Sequence, residues 1–84
     1  MYRILIERRA EKDLESLPTK TFQKITISIQ KLAGNPRPTG SQKLRSSDSD
    51  YRIRIGDYRV LYEISDDTKT VRVFRVKIRG QAYR

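Results

Sequence analysis

The residues of this sequence best suited to chemistry lie in its basic final stretch. Residues 68–84 contain cations and no acidic side chain: Lys69, Arg72, Arg75, Lys77, Arg79 and Arg84. Within this stretch the charges alternate with Val, Phe and Ile, and a disordered basic tail would lack that apolar half. The positive charge is therefore expected on a folded strand, where it can form a groove for a polyanion.

A second basic cluster is predicted on a hairpin around Gly56-Asp57. A two-residue Gly-Asp link favours a tight turn with a positive φ at its first position. The implied pairing sets Arg54 opposite Arg59, and Arg52 points to the same face because strand side chains alternate. Like charges directly opposite destabilise a sheet by up to ~1 kcal/mol. This face is therefore expected to bind something negative.

The last predicted strand extends the same face, with Phe74, Val76 and Ile78 directed inward. The outward residues that complete the cationic face are Arg75, Lys77 and Arg79, with Lys43 and Arg45 entering from the preceding loop. The alternative is an ordinary solvated sheet face, since exposed strands also carry arginine to prevent unwanted pairing.

The composition agrees with a polyanion partner. The 84 residues include 19 Lys and Arg against 10 Asp and Glu, for a formal net charge of +9. Cysteine and histidine are both absent, which removes the common transition-metal ligands and the usual neutral-pH general base. No cofactor is expected. The sequence has no apolar run of about 20 residues and no signal peptide, so a cytoplasmic protein is expected.

Apolar spacing predicts two helices before the hairpin. Ala10, Leu14 and Leu17 fall at i, i+4 and i+7, and Pro18 ends this first helix. The stripe of the second helix is Phe22, Ile25, Ile29 and Leu32. Its segment ITISI also fits a strand, but the continuing stripe and the Gly-Asn-Pro stop signal favour a helix.

Four strands complete the prediction, at residues 2–7, 51–55, 58–64 and 70–79. The expected fold is α+β with the order β-α-α-β-β-β, an antiparallel four-stranded sheet with the helix hairpin packed on one face. Residues 1–84 are expected to form a single domain.

Three segments give the sequence a family resemblance: KLR at 43–45, YRIRIGDYRVLYEI at 51–64 and VFRVKIRGQAYR at 73–84. Together they resemble the RelE branch of the RelE/ParE toxins, the toxin halves of type II toxin–antitoxin pairs. The resemblance covers nearly the whole chain. It implies a ribosome-dependent mRNA endonuclease that uses the ribose 2′-OH as nucleophile and needs no metal. The implied partners are a cognate antitoxin, the 70S ribosome and mRNA.

The resemblance also implies roles for individual residues. The catalytic candidates are Arg52 and Arg54 in place of two family lysines, Arg59, Arg79 and Tyr83. The RNA-binding candidates are Lys43, Arg45, Arg75 and Lys77. Arginine cannot exchange a proton in proteins, and Ile78 stands where many relatives have a histidine. Proton transfer is therefore expected from Lys77 or Tyr83, unless electrostatic stabilisation and the ribosome suffice.

Two other functions fit the same pattern. A ParE-like toxin on this fold would inhibit DNA gyrase by binding, but such relatives usually lack the basic C-terminal set that Arg79 and Tyr83 represent here. A simple RNA-binding module would be expected to expose aromatic side chains on its central strands. In this sequence the strand tyrosines are predicted to face inward, which favours the ribonuclease.

Overall fold

The computed structural model of the protein describes residues 1–45 and 47–78. Both predicted helices form, as α1 (Arg8–Glu15) and α2 (Thr19–Lys31). The strands are β1 (Arg3–Ile6), β2 (Ser41–Lys43), β3 (Asp50–Ile55), β4 (Tyr58–Ser65) and β5 (Thr70–Ile78). The predicted α+β class is confirmed.

The strands form one sheet in the order β1-β5-β4-β3-β2. β1 runs parallel to β5, whereas the other neighbouring pairs are antiparallel. The predicted sheet was therefore wrong in two details, the number of strands and the direction of β1. The additional strand, β2, reads Ser-Gln-Lys and has no apolar alternation that could have indicated it. β1 supplies hydrogen-bonding partners for an edge of β5 that would otherwise be open.

Both helices contribute to a core on one face of the sheet. Ile25, Ile29 and Leu32 are at most 2% exposed, whereas Ile27 is 53% exposed. This contrast follows the helical period and excludes the strand alternative for this segment. Phe22, which the predicted stripe also included, is 40% exposed. The sheet contributes Ile55, Val60, Tyr62, Ile64, Val71, Val73 and Val76.

The hairpin between β3 and β4 has the predicted register. Arg54 pairs with Arg59, and Tyr51 pairs with Tyr62. Gly56 has a φ of 61°, a left-handed conformation that glycine adopts without steric cost. Since Tyr62 is fully buried, the arginines that alternate with the core residues point away from the helices.

The side-chain alternation of β5 differs from the prediction at Phe74. The register with β4 shifts, so that Leu61 pairs with Arg75 but Tyr62 pairs with Val73. Phe74 is thereby left without a cross-strand partner and lies outside the core cluster. Its predicted inward orientation is wrong because a β-bulge inserts one residue and reverses the alternation beyond it. Val76 remains buried on the far side of the bulge.

Asp13 of α1 binds the part of β5 that lies beyond the end of β1. One carboxylate oxygen of Asp13, Oδ2, accepts hydrogen bonds from the backbone N–H of Val76 and from Nε of Arg75, both at 2.9 Å. The last paired residue of β1 is Ile6, opposite Val73. A helix side chain therefore takes over where the parallel strand stops, and it satisfies a backbone donor of β5.

We expect the substitution Asp13→Ala to lower the free energy of unfolding by about 1–3 kcal/mol, the usual cost of leaving part-buried donors without an acceptor. Urea denaturation of the full chain measures this loss. Asp13→Asn keeps one amide oxygen as an acceptor and should lose less. The control is Glu11→Ala, an exposed acidic residue of the same helix. Equal losses for Asp13→Ala and Glu11→Ala would contradict the role of Asp13.

Candidate nucleic-acid interface

Three cations lie side by side across the outward face of the sheet. Arg54 of β3 pairs with Arg59 of β4, which in turn pairs with Lys77 of β5. We call these three residues the cationic row. Neighbouring strands are about 4.8 Å apart, so this arrangement brings like charges together at a local energetic cost. A polyanion bound to the row would relieve that repulsion.

A pocket of about 190 Å³ opens beside the cationic row. It is lined by Gly40, Gln42, Arg52, Arg54 and Arg59, and we call it the arginine pocket. Nη2 of Arg52 donates a hydrogen bond to Oε1 of Gln42 at 2.6 Å, and Nε of Arg54 donates to the carbonyl oxygen of Gly56 at 3.1 Å. The guanidinium groups are thus oriented by neutral acceptors that leave their positive charge uncompensated.

A second pocket of about 300 Å³ adjoins the first. It is lined by Gln42, Lys43, Leu44, Arg45 and Arg52, and we call it the loop pocket. Lys43 lies 3.7 Å from the Asp48 carboxylate, but both groups are exposed, and an ion pair of this kind contributes little. The structure therefore brings together Lys43, Arg45 and Arg52, which the sequence analysis had selected from separate segments.

Other arginines of β5 are neutralised by carboxylates. Arg72 forms ion pairs with Glu7 at 2.8 Å and with Glu63 at 2.7 Å. Arg75, an RNA-binding candidate, is paired with Asp13 and lines neither of the two pockets described above. The cations that line the two pockets lie near the β3–β4 turn and around β2. Two catalytic candidates, Arg79 and Tyr83, lie outside the described residues.

Arg37 forms hydrogen bonds that hold in place the loop leading to the arginine pocket. Its Nη2 donates to Asp66 at 2.9 Å and its Nε donates to the Tyr51 hydroxyl at 3.1 Å. The hydrogen bond from Arg37, followed by one from the Tyr2 hydroxyl, holds the pKa of the Asp66 carboxyl below its usual value. The same carboxylate raises the pKa of the Tyr2 phenol. This cluster fixes the start of the segment that carries Gly40 and Gln42.

Tyr62, a buried residue of β4, also contacts this loop. Its hydroxyl donates to the carbonyl oxygen of Pro36 at 2.9 Å, and its ring stacks on Tyr51 with centroids 6.1 Å apart. Burial raises the pKa of the Tyr62 phenol, so the hydroxyl stays protonated and able to donate. The sequence predicted the pairing of Tyr51 with Tyr62. It did not reveal the contacts that Arg37 and Pro36 make, because these join segments far apart in the chain.

Gln42 and Gly40 are the pocket residues that the sequence analysis missed. A glutamine in a polar loop has no signal of its own, and only the β2–β3 pairing, which sets Gln42 opposite Arg52, gives it a position. In residues 1–45 and 47–78, no group of His, Cys, Asp and Glu has an arrangement that could hold a metal ion. The same residues include no helix long and apolar enough to cross a membrane.

Comparison with known proteins identifies the family to which this chain belongs. A family model described as the ParE toxin of the type II toxin–antitoxin system parDE matches residues 4–83. The chain is also 33% identical to toxin RelE1 of Methanocaldococcus jannaschii, over 99% of this chain and 96% of that protein. The chain belongs to the RelE/ParE toxins of type II toxin–antitoxin systems. The resemblance inferred from its sequence motifs is thereby confirmed.

Solved structures of RelE-type toxins have the same architecture. The RelE–RelB complex of Pyrococcus horikoshii contains a chain with a TM-score of 0.84 and 30% identity, covering 95% of this chain and 97% of that one. The RelBE2 complex of Mycobacterium tuberculosis gives a TM-score of 0.81 and 28% identity, covering 93% and 98%. The cationic row and the two pockets of this RelE-type toxin therefore lie on the fold that these structures share.

Proposed function

We propose that this RelE-type toxin is a ribosome-dependent endoribonuclease that cuts mRNA in the A site and thereby stops translation. The observation that carries the proposal is the arginine pocket, which is lined by Arg52 together with Arg54 and Arg59 of the cationic row. Fixed positive groups of this kind favour a substrate whose negative charge increases in the transition state. The RelE names of the similar proteins support this function over gyrase inhibition.

The proposed reaction is attack of a ribose 2′-OH on the adjacent phosphate. A bond forms between the 2′-oxygen and phosphorus, and the bond from phosphorus to the 5′-oxygen of the next nucleotide breaks. The nucleophile loses a proton, and the leaving 5′-oxygen gains one. Arg54 and Arg59 would stabilise the negative charge that develops on the phosphoryl oxygens.

Lys77 is the proposed carrier of a proton within the described part of the site. It pairs with Arg59 across the sheet, and an ammonium group, unlike a guanidinium, can give up a proton in proteins. Arg52 would hold the substrate phosphate rather than exchange protons. Tyr83 and Arg79 remain proposed contributors to the same reaction on the strength of the family motif.

A cognate antitoxin is the proposed protein partner. The similar proteins from Pyrococcus horikoshii and Mycobacterium tuberculosis were solved as complexes of toxin with antitoxin. The cationic row would be covered by a segment that carries acidic and apolar residues, because charge complementarity favours such a partner. A chain that acts on the ribosome would work in the cytoplasm.

Primer extension on two copies of one mRNA tests the proposed activity. One copy is translated and the other has its start codon removed, and both are collected after induction of the toxin. We expect cuts within codons of the translated copy that are missing from the untranslated one. Equal cutting of both copies would contradict dependence on the ribosome.

Gyrase inhibition is the second candidate because the matching family model is described as a ParE toxin. The same induction separates the two activities. Growth arrest with DNA damage, and without cuts in either mRNA copy, would assign the arginine pocket to a binding surface for a protein target. Cuts in the translated copy would assign it to RNA.

A further inference from the structure

We propose that the arginine pocket and the loop pocket bind two successive phosphates of one RNA strand, with Gln42 positioning Arg52 between them. The inference deepens the proposed function and rests on RNA being the substrate. It adds a defined path for the strand across the sheet and a role for a residue outside the family motif. The path runs from the cationic row, past Arg52, to the basic segment after β2.

The two pockets share a wall. Among the described residues, Gln42 and Arg52 line both of them. They are cross-strand partners in the β2–β3 pairing, and their side chains are joined by the 2.6 Å hydrogen bond from Nη2 to Oε1. The Arg52 guanidinium is therefore held at the boundary, where it can meet an anion from either side.

Cations continue on both sides of that boundary. Arg54 lies two residues from Arg52 on the same face of β3, which corresponds to about 6.7 Å along the strand. Lys43 and Arg45 line the pocket on the other side. One phosphate in each pocket would lie against the cations that line that pocket. Leu44 adds an apolar wall to the loop pocket against which a ribose or base could pack.

Arg52, like Arg54, has a neutral hydrogen-bond partner, which sets it apart from the arginines of β5. Arg75 is held by Asp13, and Arg72 is held by Glu7 and Glu63. Those carboxylates orient the guanidinium group but also cancel its charge. The amide oxygen of Gln42 orients Arg52 without cancelling its charge, which suits a residue that must attract phosphate. This contrast identifies Gln42 as a positioning residue.

Binding of short, non-cleavable RNA to the full chain tests the path without the ribosome. The probes are fluorescent 2′-O-methyl oligonucleotides with one or two phosphates, measured by anisotropy between about 50 and 200 mM salt. The slope of log affinity against log salt is expected to be steeper for the two-phosphate probe than for the one-phosphate probe. Equal slopes for the two probes would overturn the two-phosphate path.

Substitutions of Gln42 test its positioning role. We expect Gln42→Ala to weaken binding of the two-phosphate probe by about tenfold, the effect of losing one charge-assisted hydrogen bond. Gln42→Asn should recover part of that loss. Gln42→Glu should pair with Arg52 and make the salt slope of the two-phosphate probe shallower. Gln23→Ala and Gln23→Glu, made at an exposed position on α2, are the matched controls.

A double-substitution cycle tests whether Gln42 acts through Arg52. In an Arg52→Ala background, Gln42→Ala should have no further effect on affinity. An additional loss as large as in the unmodified chain would overturn the positioning role. Thermal unfolding of each variant confirms that it is folded at the temperature of the binding measurement.

A competing peptide decides between nucleic acid and protein as the occupant. An oligoglutamate with the same charge as the RNA probe is expected to compete weakly. If it competes as well as RNA, the pockets bind an acidic protein segment and the proposal fails. If the salt slopes hold but primer extension shows no cuts, the phosphate path stands and the proposed ribonuclease activity fails.

Discussion

Arg59→Glu is expected to abolish growth arrest and to reduce mRNA cleavage by about 100- to 1000-fold, the range seen when one transition-state donor is removed. Arg59 lies at the centre of the cationic row and lines the arginine pocket. A carboxylate at this position would both remove a guanidinium group and repel the phosphate. The readout is primer extension on the translated mRNA copy after matched induction.

The control for this substitution is Lys20→Glu, which makes the same change in net charge at an exposed position on α2. It should cut mRNA as the unmodified toxin does. Thermal unfolding of both variants separates loss of function from loss of fold. Undiminished cleavage by a folded Arg59→Glu variant would remove Arg59 from the active site and weaken the electrostatic mechanism.

Tyr62→Ala is expected to lower the free energy of unfolding by about 3–5 kcal/mol, as for other large aromatic side chains truncated in a core. Tyr62 is fully buried, stacks on Tyr51 and donates a hydrogen bond from its hydroxyl to the Pro36 carbonyl oxygen. A loss of this size is a large fraction of the total stability of a small domain, about 5–15 kcal/mol. Urea denaturation with circular dichroism measures it.

Tyr62→Phe separates the hydroxyl from the ring. This variant keeps the stacked ring but leaves the Pro36 carbonyl without its donor, so a loss of about 0.5–1.5 kcal/mol is expected. Thr19→Ala, at an exposed residue, provides the baseline. If Tyr62→Ala were no more harmful than Tyr62→Phe, the ring would not be an essential part of the core.

The β3–β4 hairpin could be predicted from the sequence residue by residue. A Gly-Asp turn fixes the register, and alternation of Tyr and Ile with Arg fixes the faces. The pairing of Arg54 with Arg59 followed from those two local signals alone. The helix hairpin was equally accessible, because Ile25 and Ile29 share a helical stripe that ends at a glycine and a proline.

The remaining differences have non-local causes. Phe74 fits a regular alternation in the sequence, and only the pairing of β5 with β4 reveals the bulge that excludes it from the core. The parallel direction of β1 depends on how the helices return the chain to the sheet. Asp13 binds Arg75, an RNA-binding candidate, through a contact that joins residues 62 positions apart.

The candidate site was predicted in its charges but not in its geometry. Charge and alternation selected Arg52, Arg54 and Arg59, because like charges that share one face of a sheet favour an anionic partner. The position of Gln42 required β2, a strand of three polar residues that no periodicity indicates. Neutral residues that orient a site are in general less visible in a sequence than the charged residues they hold.

The position of β5 between β1 and β4 has a consequence for how this toxin is made. β5 contributes Val71, Val73 and Val76 to the core and Lys77 to the cationic row, yet it is the last described strand to leave the ribosome. Until residues 70–78 have been synthesised, β1 has no strand to pair with and the sheet remains incomplete. An unfinished copy therefore lacks part of the core and one member of the cationic row until β5 has been added to the sheet.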